Sequence, residues 1–315
     1  MEMQAAVMTS GAHPLCETFA SPVEREGAVV VNVKAAALTR VDIAVASGRH
    51  YTKPPPGRFV LGREGVGVLA EGPRVYFNFS SCLWPFGSMA EQTLVHPSCL
   101  LDVPEGTPDA LAAALGNAGL AAWLPLSWRA RLQPGETVLV IGATGLSGLI
   151  AVAAARLLGA GRVIAAGRNP EALLRCQALG ADAIVNLNET SDLTAAYTEA
   201  ARGPIDVVLD YLCGPPAEAA LEALATGGRM VHIGTTVATE MKLPGQSLRR
   251  TSADILGFAY YHAPIEVQQQ AYSALCRHAV AGRIAIDFET LPLRDVCKAW
   301  ERQLAGSRRR LVLLP

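Results

Sequence analysis

Three glycines spaced three residues apart, Gly142, Gly145 and Gly148, form the most distinctive chemical pattern in the chain. They follow a run of branched apolar residues, 138–141, that predicts a buried strand, and lead into an alanine-rich stretch, 146–158, that predicts a helix. Such a turn suits a pyrophosphate, because glycine lets the backbone approach the phosphates and the helix N-terminus offers unpaired N–H groups. The pattern therefore indicates a dinucleotide site, with a purely structural strand end as the alternative.

An arginine follows the second predicted strand, 162–166, at a position that distinguishes NAD from NADP. Gly167 and Arg168 lie about 20 residues past the glycine turn, where an NAD site carries an acidic residue. The first acid in this region is Glu171, and an arginine suits a 2′-phosphate, so the expected cofactor is NADPH. A solvent-facing arginine at a helix start is the alternative. The expected phosphate contacts are Thr144, Gly145, Leu146, Ser147, Gly167 and Arg168.

Strands and helices alternate from about residue 135 onward. The predicted strands are 137–142, 162–166, 182–186, 205–210, 229–234 and 253–258. With crossover helices they predict an α/β fold, a doubly wound parallel sheet whose carboxyl edge faces a bound dinucleotide. Residues just after the fourth, fifth and sixth strands are therefore expected to contact the cofactor: Cys213, Gly234, Thr235 and Phe258. Cys213 is interpreted as a packed thiol rather than a nucleophile.

The regions on either side of this alternating pattern differ from it. Residues 1–103 contain short strands and many turns, which predicts a partly open barrel or folded sheet. A helix is expected over 108–127, with Pro125 kinking or ending it. The last strand, 310–314, is expected to pair with the N-terminal β region.

The composition is that of a compact chain without a strongly charged surface. Of its 315 residues, 50% are hydrophobic and 17% are charged, and the net charge of −1 provides no field to recruit nucleic acid. Seven dispersed cysteines without a C-x-x-C pair indicate reduced thiols and a cytoplasmic protein, and the six histidines lack metal-ligand spacing. The first residues do not resemble a signal peptide, and glycines interrupt the longest apolar run. No metal, nucleic-acid or membrane partner is therefore expected.

In this order, the motifs resemble the medium-chain dehydrogenase/reductase superfamily, specifically its zinc-independent NADPH:quinone oxidoreductase branch. The resemblance is carried by VKAAALTRVDIAVASGRHY (33–51), LGREGVGVL (61–69), GSMAEQTLV (87–95), LQPGETVLVIGATGLSG (132–148), LGADAIVNLNE (179–189), IDVVLDYLCG (205–214) and GGRMVHIG (227–234). It implies a β-rich, GroES-like catalytic domain, 1–117 together with 260–315, around a Rossmann NADP-binding domain, 118–259.

The resemblance also implies an active site without zinc. The zinc-using branch holds its metal with a cysteine, a histidine and a second cysteine, and the matching positions here are Thr39, Arg63 and Asn117. Without a Lewis acid to stabilise an alkoxide, reduction of a quinone or an activated C=C bond is expected rather than alcohol dehydrogenation. The quinone branch usually has asparagine at the position of Thr39 and proline at the position of Arg40. It also has a longer segment at 69–74, so a more open active-site rim is expected here.

The resemblance assigns three candidate catalytic residues. Tyr51 matches, within about one residue, a tyrosine that donates a hydrogen bond or proton in related enoyl reductases; a loop aromatic covering the cleft is the alternative. Asp42 orients this loop, or caps the helical turn. Asn117 donates near the nicotinamide, or bonds only backbone.

The expected function is NADPH-dependent reduction of quinones or α,β-unsaturated carbonyls by hydride transfer, with Tyr51 or solvent supplying a proton. Two alternatives stay open, a stand-alone enoyl-thioester reductase and a non-catalytic NADPH-binding sensor. The family and the exposed sheet edge expected at 255–258 also predict a homodimer.

Overall fold

The computed structural model describes residues 1–9, 13–70, 72–78 and 80–315 of the chain. Its contacts divide the chain into two compact units. The first unit comprises Met1–Asn117, Pro264–Ala281 and Ile286–Pro315, and the second comprises Ala118–Ala263 and Gly282–Ala285. The boundaries expected from the sequence lie after residues 117 and 259, and those of the structure lie after residues 117 and 263.

The strands are β1 Glu2–Thr9, β2 Leu15–Ala20, β3 Val29–Leu38, β4 Arg58–Val60, β5 Gly65–Leu69, β6 Arg74–Phe77, β7 Gln92–Val95, β8 Leu100–Asp102, β9 Thr137–Ile141, β10 Arg162–Gly167, β11 Ala183–Asn186, β12 Ile205–Asp210, β13 Leu224–His232, β14 Asp254–Gly257, β15 Phe288–Pro292 and β16 Arg310–Leu314. The α-helices are α1 Arg40–Ala46, α2 Asp109–Leu124, α3 Leu146–Leu157, α4 Pro170–Ala178, α5 Leu193–Ala201, α6 Pro215–Glu222, α7 Gly245–Thr251, α8 Ile265–Val280 and α9 Val296–Leu304.

The first unit is β-rich, as the sequence predicts. One sheet has the order β2-β1-β4, and a larger one has the order β15-β16-β3-β5-β6-β8, with β7 also pairing with β3. The last strand, β16, pairs antiparallel with β3, which confirms the expected partner. Helix α9 covers this core with Val296, Ala299 and Trp300, which recur at helical spacing and pack in one cluster with Leu38 and Phe77.

The helix predicted over 108–127 differs from the structure in where it bends. Its backbone leaves helical geometry at Gly116, and after Leu124 the chain continues as a π-helical turn, Pro125–Ala130. A Cβ at Gly116 would lie 2.4 Å from the Tyr76 ring and 2.5 Å from a Glu64 carboxylate oxygen. Only glycine permits this close approach. Pro125 is the first residue of the π-helical turn, where a missing N–H is tolerated. Helix α2 therefore ends directly before Pro125, which confirms the second predicted alternative, whereas the bend at Gly116 comes from a tertiary contact that the sequence did not predict.

The second unit is a doubly wound parallel sheet, which confirms the predicted fold. Its six strands have the order β11-β10-β9-β12-β13-β14, and every neighbouring pair is parallel. Strand β9 is buried on both faces, as its run of branched residues predicts. The sixth strand, β14, lies at the sheet edge, where the sequence places it.

One helical stretch, Asp109–Ala130, has the length and apolar character that a membrane span requires. Among the described residues, 72% of the most apolar part of this stretch is buried inside the protein. Burial of this kind is typical of a core helix, and length and composition alone are weak evidence for a span.

Candidate cofactor-binding and catalytic residues

The glycine turn follows β9, and its three glycines have different environments. Gly142 adopts a φ of +89°, and a Cβ at Gly148 would lie 2.3 Å from the Gly142 carbonyl oxygen. The left-handed backbone conformation therefore explains Gly142, and close packing explains Gly148. Gly145 is exposed, and its Cβ would approach only that same oxygen, at 3.4 Å. The side of Gly145 on which a side chain would stand faces open space, so a ligand can approach the backbone there.

Helix α3 begins at this open position without a side-chain cap. Gly145 is its N-cap residue and offers no side-chain acceptor, so the first amides, including those of Leu146 and Ser147, lack an intrahelical partner. Unpaired amides and the positive end of the helix dipole favour an anion. This start of the helix fits the pyrophosphate of a dinucleotide cofactor.

The next segment, after β10, packs directly against the turn. A Cβ at Gly167 would lie 2.4 Å from the Thr144 side chain, so glycine is required for this contact. Arg168 follows and is exposed, and its carbonyl oxygen accepts a hydrogen bond from Asn188 Nδ2 at 3.2 Å. Among the described residues its guanidinium takes part in no ion pair, so it can bind an added phosphate.

The structure brings the predicted cofactor residues of the second unit to one edge of the sheet. They directly follow the carboxyl ends of five neighbouring strands, β10, β9, β12, β13 and β14, in that spatial order. Cys213 is buried, with a φ of +64°, and the Phe258 ring packs edge-on against Trp128 at 6.3 Å. This arrangement fits an extended dinucleotide lying across the carboxyl edge.

Two titratable residues at the same edge, Asp210 and His232, were not predicted from the sequence as site residues. Asp210 ends β12 and is completely buried, and its carboxylate lies 2.7 Å from the imidazole of His232, the last residue of β13. The aspartate at the end of an otherwise apolar run, Ile205–Asp210, is the signal that could have identified it, because a buried charge requires partners.

In the first unit, Asp42 takes the capping role that was one of its two predicted alternatives. Thr39 and Asp42 form a capping box at the start of α1, and Asp42 Oδ2 accepts hydrogen bonds from the Thr39 backbone N–H and hydroxyl, both at 2.7 Å. Asp42 is buried, and its Oδ1 has no hydrogen-bond partner among the described residues. Burial raises the pKa of this carboxyl to about 6.

Asn117 meets a second buried carboxylate, Glu64, which sequence reasoning did not place among the site residues. The backbone N–H of Asn117 and the hydroxyl of Tyr76 both donate to Glu64 Oε2 at 2.7 Å. Burial is the main cause that raises the pKa of Glu64, and the positive charge of Arg310 opposes it. The observed contact of Asn117 is made by its backbone N–H to a side-chain carboxylate, so both predicted roles of the Asn117 side chain stay predictions.

Tyr51 has a different environment from these buried groups. It is 72% exposed, and its ring contacts the His50 ring in a tilted arrangement, with a centroid distance of 3.9 Å and an interplanar angle of 36°. The Asp42 and Glu64 carboxylates, in contrast, are buried. An exposed tyrosine can exchange protons with solvent.

The residues at the family's zinc positions do not fit a catalytic zinc ion. The Thr39 hydroxyl is bound to Asp42, and Arg63 is a buried cation that donates to the Cys82 carbonyl oxygen at 3.1 Å and lies 4.5 Å from the centre of the Trp84 ring. Zinc takes thiolate, imidazole or carboxylate ligands, and a guanidinium repels it. Asn117 supplies none of these ligands either.

Two further features contain none of the predicted cofactor residues. A cleft of about 480 Å³ opens at the amino ends of β9, β13 and β14, and its Arg229 and Glu136 are already paired through two hydrogen bonds. In the first unit, His13, Cys297 and Glu301 come within 4.8 Å of one another, although the sequence separates them. Spacing along the sequence does not reveal this cluster, in which Glu301 contacts Cys297 at 3.9 Å and His13 at 4.0 Å.

Comparison with known proteins agrees with this arrangement. A family model described as zinc-binding dehydrogenase matches residues 148–277. The mouse quinone oxidoreductase-like protein 2 is 30% identical over 268 residues, which are 81% of this chain and 75% of that protein. The solved quinone oxidoreductase of Thermus thermophilus, also determined with NADPH, is 29% identical, covers both chains completely and has a TM-score of 0.76.

The chain therefore belongs to the medium-chain dehydrogenase/reductase superfamily, in its quinone oxidoreductase branch. It also matches part of a much longer protein, the phenolphthiocerol synthesis polyketide synthase Pks15/1 of Mycobacterium marinum, with 33% identity over 214 residues. Those residues are 67% of this chain and 10% of the synthase. The chain thus spans a small part of the length of the polyketide synthases it matches.

Proposed function

We propose that this protein is a zinc-independent, NADPH-dependent reductase of quinones or α,β-unsaturated carbonyls. The observation that carries the proposal is the carboxyl edge of the parallel sheet, where an uncapped helix start stands beside Arg168. The first feature suits a pyrophosphate and the second suits a 2′-phosphate. The NADPH in the Thermus structure supports the choice of cofactor.

Bound NADPH would supply a hydride, and the chain's own residues would bind and orient it. The amides at the start of α3 hold the pyrophosphate, Arg168 holds the 2′-phosphate, and the segments after β12, β13 and β14 hold the nicotinamide half. The absence of a fitting zinc site among the family's ligand positions supports reduction of an acceptor that is already electrophilic. Tyr51 or solvent supplies the proton, since the tyrosine hydroxyl is exposed.

Two further parts of the proposal concern the setting of the enzyme. The edge strand β14 leaves backbone groups that a second copy can pair, which supports a homodimer. Seven free cysteines support a cytoplasmic location, where thiols stay reduced.

Turnover on an acceptor panel tests the proposal. Purified protein is assayed for NADPH oxidation with a benzoquinone, a naphthoquinone, an enone and a crotonyl thioester. Turnover of the quinones or the enone supports the proposal. Turnover confined to the thioester would establish an enoyl-thioester reductase, which the match with part of a polyketide synthase favours. Binding of NADPH without any oxidation would indicate a sensor and overturn the proposed catalysis.

A further inference from the structure

Asp210 and His232 face each other across two neighbouring strands at the predicted cofactor edge. The parallel register of β12 and β13 pairs these two residues directly. Asp210 Oδ2 lies 2.7 Å from His232 Nδ1, while Asp210 Oδ1 accepts the backbone N–H groups of Leu212 and Cys213, both at 2.9 Å. The carboxylate is completely buried and the imidazole is partly exposed. Three donors thus satisfy a charge that would otherwise be costly to bury.

These hydrogen bonds hold the segment after β12 in an unusual conformation. Cys213 has a φ of +64° and Gly214 has a φ of +68°, both in the left-handed region. A cysteine adopts this conformation only where its surroundings fix it. The bond from the Cys213 amide to Asp210 is a direct source of that restraint.

The backbone carbonyl groups of the same two residues bind the segments after β13 and β14. The Asp210 carbonyl oxygen accepts the N–H groups of Ile233 at 2.8 Å and Gly234 at 3.2 Å, and the His232 carbonyl oxygen accepts that of Phe258 at 3.1 Å. Of the predicted cofactor contacts, Cys213 is therefore bonded to the Asp210 side chain. Gly234 and Phe258 are bonded to the backbone of Asp210 and His232, at the ends of the strands that the side-chain pair joins.

Within the part of the chain that the structure describes, Asp210 is the one charged group that shifts the pKa of His232. The hydrogen bond to Asp210 is the main cause that raises the pKa of His232, and partial burial opposes it. On the other side of the carboxylate, burial and the Asp210 charge raise the pKa of the Tyr197 hydroxyl of α5, so that group stays protonated. The pair thus favours the protonated form of His232.

We propose that Asp210 and His232 are a positioning pair for the nicotinamide cofactor, and that the protonation of His232 sets how firmly the three segments are held for binding. The charged imidazolium–carboxylate bond is stronger than the bond from a neutral imidazole. The inference rests on the proposed cofactor, and it assigns both residues an effect through Cys213, Gly234 and Phe258 rather than through the reacting atoms.

The test compares the dissociation constants of NADPH for wild type and His232→Gln between pH 6 and pH 9, by fluorescence titration. The 2′-phosphate of NADPH titrates in the same range, so the informative quantity is the ratio of variant to wild-type Kd at each pH. We expect a ratio of roughly 5 to 10 at pH 6 that falls towards 1 as His232 loses its proton. His96→Gln, an exposed histidine of the first unit, is the matched control and should give a ratio near 1 throughout.

A double variant separates positioning from a general loss of stability. Asp210→Asn should weaken NADPH binding, and adding His232→Gln to it should have little further effect, because the bond is already lost. Thermal unfolding shows whether each variant is folded. If His232→Gln is not folded, His232→Asn replaces it, alone and in the double variant. A ratio independent of pH, or additive effects in the double variant, would overturn the inference. Wild type that binds no NADPH at any pH would instead overturn the proposed cofactor, and the inference with it.

Discussion

Replacing Arg168 with alanine tests the assignment of the cofactor's extra phosphate. Arg168 is exposed and makes no ion pair among the described residues, so its removal leaves no buried charge and should change stability by less than about 0.5 kcal/mol. A hydrogen bond to a charged group contributes about 1.5–3 kcal/mol, and solvent screening at an exposed site favours the lower end. A loss of about 1.5–2 kcal/mol corresponds to roughly 10- to 30-fold weaker binding of NADPH.

Fluorescence titration of NADPH and NADH provides the assay. Arg168→Ala should weaken NADPH binding by this factor and change NADH binding less than about 2-fold, since NADH lacks the phosphate. Arg168→Lys should give an intermediate result, because it keeps the charge without the two-pronged geometry. The control Arg249→Ala removes another exposed arginine of the second unit and should change neither constant. Equal losses for both cofactors would refute the reasoning.

Changes at four other residues test further parts of the account. Gly148→Ala should lower the free energy of unfolding in urea by about 1–3 kcal/mol, since its Cβ would lie 2.3 Å from the Gly142 carbonyl oxygen. Gly145→Ala, with a nearest contact of 3.4 Å, should stay close to wild type in stability but bind NADPH more weakly, and unchanged binding would contradict its assignment to the ligand. Burial raises the pKa of Asp42 from 3.8 to about 6, so the folded protein takes up a proton more readily than the unfolded chain. Relative to Asp42→Asn, wild type should therefore gain roughly 1 kcal/mol of stability as the pH falls from about 7 to about 5, and parallel urea-unfolding results would exclude this shift. Tyr51→Phe should lower kcat and leave the KM for NADPH unchanged if the tyrosine donates the proton; an unchanged kcat would assign the proton to solvent.

The doubly wound sheet could be predicted because its signals are local. Runs of branched residues such as 138–141 define buried strands, and the glycine turn marks where the first strand gives way to a helix. The edge position of β14 followed from the strand order expected of such a fold. These features depend on residues close together in sequence, so composition and spacing are sufficient to predict them.

The missed features depend on contacts between distant residues. The bend at Gly116 results from the approach of Tyr76 and Glu64, about 40 and 50 residues earlier in the chain, and helix propensity carries no information about it. The pairing of Asp210 with His232 depends on the register between β12 and β13. A one-residue shift in that register would abolish the pairing.

The most direct test of the central claim is the ratio of kcat/KM for NADPH to that for NADH, measured with one benzoquinone at saturating concentration. The proposed reductase should turn over with both nucleotides and prefer NADPH at least about 10-fold, because only NADPH carries the phosphate that Arg168 binds. A ratio near or below 1 would contradict the assigned cofactor, and no turnover with either nucleotide would contradict quinone reduction.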